Sequence, residues 1–160
     1  MMKWTIAMVI AMAGFARAAE GDLLLDIGPS GTFSSDADVK NPAVGGSAAL
    51  SWGFNDRTDL GAFLIVNTAS RELAGSTETV SAGLQSWLTP VAGDIRPQIG
   101  GRAGMTLRNG EGLIHLSLMA RGLAELTPAV RAYLGGNVGA DMGEKGDTFA
   151  GIDFGLQFRF

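Results

Sequence analysis

The chain contains no cysteine, a single histidine (His115), a single tyrosine and few basic residues. Without cysteine there can be no disulfide framework, no thiol nucleophile, no cysteine-held zinc and no acylated cysteine of the lipoprotein kind. The 12 Lys and Arg are outnumbered by 16 Asp and Glu, for a net charge of −4. The basic residues are scattered, so no electrostatic patch for nucleic acid is present. After residue 18 no apolar run approaches the roughly 20 residues that a membrane-spanning helix needs, so any insertion into a bilayer must use strands. A phosphate-cradling loop is missing as well. The pieces GGRAG (100–104) and GGNVG (135–139) sit inside alternating segments with no following helix to bind an anion.

What is present begins with an export pattern. Lys3 precedes an apolar run from Trp4 to Phe15 and the small-x-small step Ala16-Arg17-Ala18. This predicts a secretory signal peptide over residues 1–18, cleaved before Ala19, and a mature domain over 19–160. Losing Lys3 and Arg17 takes the net charge from −4 to −6. The 24 glycines and 46% hydrophobic content suit neither a helical bundle nor a disordered chain. A glycine costs a helix about 1 kcal/mol relative to alanine, whereas in a small barrel it leaves room on the inner face.

The dominant signal is period 2, the mark of a strand with two chemically different faces. It is cleanest at the end of the chain, where Ile152, Phe154, Leu156, Phe158 and Phe160 alternate with Asp153, Gly155, Gln157 and Arg159. Eight such segments are expected: 22–29, 44–54, 59–67, 78–87, 95–107, 112–121, 129–142 and 149–160. The implied fold is all-β, an eight-stranded antiparallel up-and-down transmembrane barrel with both termini on the periplasmic side. Periplasmic turns are then expected at 55–58, 88–94 and 122–128. Outer loops are expected at 30–43, 68–77, 108–111 and 143–148, the first two long and the last two short.

Energetics orient the faces. An Arg facing hydrocarbon costs about 2–4 kcal/mol at the midplane, so the polar set must point inward. An eight-stranded barrel is just wide enough for its side chains to fill it. Gln98, Arg102, His115, Arg131, Asn137, Asp141, Asp153, Gln157 and Arg159 are therefore expected to form a packed lumen network with its charges paired. Phe63 and Ile65 also face inward and make part of the lumen apolar. Trp52, Phe54, Trp87, Phe158 and Phe160 fall near periplasmic strand ends, where an aromatic girdle belongs.

The terminal alternation closing on Phe160, the segment DIRPQIGGRAG (94–104) and the similar AVRAYLGGNVGADMG (129–143) give the chain a resemblance to the small eight-stranded outer-membrane barrels typified by outer membrane proteins A and X. The resemblance covers the whole mature chain. It implies that Ile152, Phe154, Leu156, Phe158 and Phe160 serve as the insertion signal read by the barrel assembly machinery. It also implies location in the outer membrane, contact with outer-membrane lipid, and a structural or interaction role toward other envelope proteins. Because the chain ends at the barrel, no peptidoglycan-binding domain of the outer membrane protein A kind is expected.

Two alternatives stay open at this level: a narrow pore or apolar-solute conduit, favoured by Phe63 and Ile65, and a lipid-modifying enzyme. For the enzyme, His115 and Ser117 lie two apart on one face, with Glu78, Glu111 or Asp153 as a third member. A packed lumen histidine is the favoured reading, so no catalytic residues, cofactor or metal are expected. The acidic pieces 34–38 and 143–147 lack the ligand spacing of a calcium loop.

Overall fold

A computed structural model describes residues 21–35, 42–55, 57–71, 75–91, 93, 95–144 and 146–160. The expected signal peptide (1–18) and the middle of the first outer loop lie outside them. The described residues form eight strands: β1 (Leu23–Ser34), β2 (Ala43–Asn55), β3 (Thr58–Arg71), β4 (Gly75–Leu88), β5 (Ile95–Arg108), β6 (Glu111–Thr127), β7 (Val130–Met142) and β8 (Asp147–Arg159). Each pairs antiparallel with the next, and β8 returns to β1, so the sheet is a closed barrel. At the seam, Leu23 and Phe160 exchange backbone hydrogen bonds of 3.2 and 2.9 Å. Closure leaves no unpaired strand edge, which is the condition for a sheet to sit in hydrocarbon.

The strands run longer than hydrophobic alternation predicts, and this corrects the expected connections. β1 continues through Pro29 to Ser34. β3 and β4 continue to Arg71 and from Gly75, so most of the long loop expected at 68–77 is strand. At the other end β6 reaches Thr127, so the connection expected at 122–128 shrinks to Pro128 and Ala129. These extensions are short or irregular in hydropathy: Ala69 and Leu123 still turn inward and are buried, while Glu125 and Leu126 are exposed one after the other, so period 2 does not mark where the strands end.

The β5–β6 turn shows local chemistry deciding a connection. Asn109 and Gly110 have φ of 52° and 84°. Two successive positive φ values characterise the two-residue hairpin turn whose twist matches the flanking strands, and Asn-Gly is its preferred dipeptide.

The hydrophobic order is that of a protein turned inside out. Leu84, Leu118 and Leu134 are 69%, 71% and 64% exposed on the outer wall, among many large apolar side chains there. Asp26, Gln85, Gln98, Arg102, His115, Arg121, Arg131, Asp141, Asp153 and Gln157 are buried in the lumen. Leu24, Phe63, Trp87, Met119, Leu123 and Tyr133 are buried with them. The interior is therefore mixed, more apolar than the polar network the sequence suggests.

Trp87 departs from the expected girdle. It is 2% exposed and inward, as its parity with Ser81 and Gln85 on β4 requires, while its neighbour Leu88 faces out. Gly100 lies opposite Trp87 on β5. A Cβ at Gly100 would come within 2.8 Å of the indole, so the missing side chain is what admits the ring.

Candidate functional site: the lumen and its two openings

Side chains from six strands close the middle of the barrel. Arg121 on β6 donates to Asp26 Oδ2 on β1 at 2.8 Å and through Nε to Gln98 Oε1 on β5 at 2.7 Å. Its guanidinium lies 4.1 Å above the Trp87 ring and 5.1 Å from that of Tyr133. Gln157 donates to the other oxygen of Asp26 at 2.9 Å and accepts from Arg131 at 3.2 Å. A buried charge is tolerated when it is paired and hydrogen-bonded; Arg121 is paired with Asp26, bonded to Gln98 and faced by two aromatic rings. Gly135 lies opposite Arg121 on β7, where a Cβ would come 2.7 Å from that of Arg121.

Toward the end that carries Gly21 and the carboxyl terminus, a vestibule of about 440 Å³ is lined by Leu24, Asp59, Gln98, Leu123 and Arg131 among others. Gln98 bridges here from the central plug to Asp59 Oδ2 (3.1 Å) and Thr89 (2.9 Å). Arg159, expected in the packed lumen, is instead at the rim of this opening. Its side chain is 42% exposed and pairs with Asp22. As the last residue of β8 it lies beyond the level at which inward side chains are enclosed.

Toward the opposite end the lumen holds a smaller cavity of about 70 Å³, lined by Ser30, Asn67, Arg102, His115, Ser117 and Asn137 among others. Here the hydrogen bonds form a second connected set. His115 Nδ1 lies 2.9 Å from Asp141 Oδ1 on β7, and His115 Nε2 lies 3.4 Å from Ser117 Oγ. Thr106 donates to Asp141 Oδ1 at 2.9 Å, and Arg108 donates to its Oδ2 at 3.0 Å and to Asp147 at 2.9 Å. Ser34 joins this set through Asp147. The His115 ring is stacked on Phe149 (centroids 5.1 Å apart, planes at 17°) and tilted against Phe63 at 5.6 Å. Arg102 bonds Gln85 at 3.2 Å, lies 5.2 Å from the Phe63 ring and stands 3.9 Å from Asp153, too far for a hydrogen bond.

Of the nine lumen residues named from sequence, Gln98, Arg131 and Gln157 thus belong to the plug and the vestibule. Arg102, His115, Asn137, Asp141 and Asp153 belong to the loop-side cavity, and Arg159 to the rim. Asp26, Arg121, Gln85, Thr106 and Arg108 carry the two networks without having been singled out. Asp26, Gln85, Arg121 and Thr106 share the inward parity of their strands, but parity does not say which inward residues meet. Among the described residues, no group of three or more His, Asp or Glu side chains is arranged to hold a metal ion.

No family model matches the chain, and no curated protein matches it. Solved structures do. The crystal structure of Neisserial surface protein A (NspA) is similar over 88% of this chain and 97% of that one, with a TM-score of 0.66 at 14% identity. Ail, the attachment invasion locus protein of Yersinia pestis, is similar over 89% and 100%, with a TM-score of 0.55 at 12% identity. The N-terminal β-barrel domain of Pseudomonas aeruginosa OprF is similar over 88% and 100%, with a TM-score of 0.54 at 15% identity. Identities this low carry architecture and not activity. In architecture, this chain shares with these outer-membrane proteins the small closed eight-stranded antiparallel β-barrel.

Proposed function

We propose that the protein is an integral barrel of the bacterial outer membrane, exported by a cleaved signal peptide, with a plugged lumen and a structural or interaction role in the envelope. The observation that carries this reading is the inverted polarity of the wall. Side chains such as Leu84, Leu118 and Leu134 face outward, while Asp26, Arg102, Arg121 and Asp153 are buried inside. In water that arrangement would expose a contiguous apolar belt far larger than the few hundred Å² that soluble monomers tolerate. In a bilayer it places every costly charge away from lipid.

Ile152, Phe154, Leu156, Phe158 and Phe160 all lie on the outer face of β8, where the assembly machinery could read them before the seam with β1 closes. Partners are then outer-membrane lipid, that machinery and other envelope proteins met at the loop end. The plug argues for a barrel that does not conduct, since Arg121, Trp87 and Tyr133 occupy its middle.

The test is fractionation followed by gel migration with and without heating. A closed inserted barrel is recovered in the outer-membrane fraction and shifts its apparent size on boiling. Recovery of the mature chain as a detergent-free soluble monomer would overturn the reading.

A further inference from the structure

Asp141, His115 and Ser117 form a relay inside the loop-side cavity. The Asp141 carboxylate on His115 Nδ1 (2.9 Å) holds the proton on that nitrogen. This leaves Nε2 as an acceptor toward the Ser117 hydroxyl at 3.4 Å. That order of carboxylate, imidazole and hydroxyl is what activates a serine for attack on a carbonyl, and apo geometries are commonly loose by a few tenths of an ångström.

The supporting contacts are specific. Thr106 and Arg108 occupy both oxygens of Asp141, with Ser81 in turn bonded to Thr106 at 2.8 Å. Phe149 and Phe63 fix the plane of the imidazole. Arg102 lies directly across from Ser117 in the β5–β6 register and lines the same cavity. Its guanidinium bonds Gln85 and stands 3.9 Å from Asp153, which leaves it as the cation across from Ser117 where backbone N–H groups are committed to strand pairing.

We propose that the loop-side cavity is a serine acyl-hydrolase site, with Ser117 as nucleophile, His115 as general base, Asp141 as the residue that positions it and Arg102 as the oxyanion partner. The substrate class is a short-chain carboxylic ester of a polyhydroxylated alcohol entering from the loop end. A cavity of about 70 Å³ admits a short acyl group, and Ser30, Thr32, Asn67, Thr79 and Ser81 offer it a hydroxyl and amide wall. In the first step the Ser117 oxygen bonds to the carbonyl carbon while its proton passes to His115 Nε2. The ester C–O bond then breaks and that proton leaves on the alcohol. A water molecule attacks the acyl-serine, giving its proton to His115, which returns it to Ser117 as the carboxylic acid departs. This goes beyond the structural role proposed above and departs from the expectation of a non-enzymatic barrel. It does not depend on the cellular location.

The mature chain, refolded in detergent and verified as closed by its heat-dependent migration, is exposed to a fluorophosphonate and separately to p-nitrophenyl acetate and octanoate. The proposal expects one phosphonyl adduct, on Ser117 by peptide mass, and faster turnover of acetate than of octanoate. Both adduct and turnover should be lost in Ser117→Ala, and labelling should fall by about 10⁴-fold in Asp141→Asn. Thr127→Ala, at the opposite end of β6 and outside the cavity, keeps the wild-type rate. A closed barrel that gains no adduct on Ser117, or one that labels equally fast in His115→Ala, would overturn the proposal. Either result leaves the envelope reading untouched, because the gel shift reports closure independently.

Discussion

Arg121 and Asp26, 95 residues apart in sequence, meet inside the barrel at 2.8 Å, both buried. The pair joins β6 to β1, strands that are not neighbours in the sheet, so it spans the lumen and ties opposite walls together. Breaking one side leaves an uncompensated charge where water is scarce, at a cost of about 3–5 kcal/mol. Arg121→Met and Asp26→Leu are each expected to destabilise the barrel by that order. The double substitution should recover most of the loss. Urea unfolding in lipid vesicles, read as a double-mutant cycle, measures the coupling; additive effects would count against the pair.

Trp87 and Arg121 together close the passage between the two openings. The wild-type barrel is expected to show no discrete current steps in planar bilayers. Trp87→Ala removes the ring that Gly100 accommodates and is expected to cost about 3–5 kcal/mol, while Trp87→Ala with Arg121→Ala should produce small, resolvable steps. Current through the wild type of the size seen in the double variant would show the plug to be misplaced.

Leu118 is 71% exposed on β6, paired with Gly101 and Val138, both well inside their own strands. Leu118→Arg would put a guanidinium into hydrocarbon and should lower stability in vesicles by about 2–4 kcal/mol if the site is near the midplane. In a soluble barrel the same exposed change would be nearly neutral. Equilibrium unfolding of the variant in lipid distinguishes these outcomes.

Phe160 is 71% exposed yet completes the seam, exchanging backbone hydrogen bonds with Leu23. Phe160→Ala keeps those bonds and removes only the aromatic side chain. If that side chain serves assembly, the fraction of chain reaching the heat-modifiable form in cells should fall several-fold, while unassisted refolding of the purified chain in detergent is little changed. Equal losses in both settings would point to stability instead.

The extent to which each feature was legible follows from the range over which its cause acts. Strand number and the direction of each side chain rest on residues two apart, so period 2 reports them. Val44, Phe63, Gln85, Arg102 and Ile152 all face where their parity predicts. Trp87 was misassigned because residue type at a strand end was weighed above parity. At 122–127 the alternation breaks, with Glu125 and Leu126 both exposed, and at 30–34 the small polar residues Ser30, Thr32 and Ser34 have the composition of a loop, so neither strand end could be read.

The sequence by itself thus determined a chain of eight two-faced strands with its charges on one side. Which charges would meet was a matter for the tertiary structure alone. Asp26 finds Arg121 and Asp141 finds His115 because strand register and closure bring inward positions from distant segments to a common level. Closure is a property of all eight pairings at once, and a local pattern does not encode it.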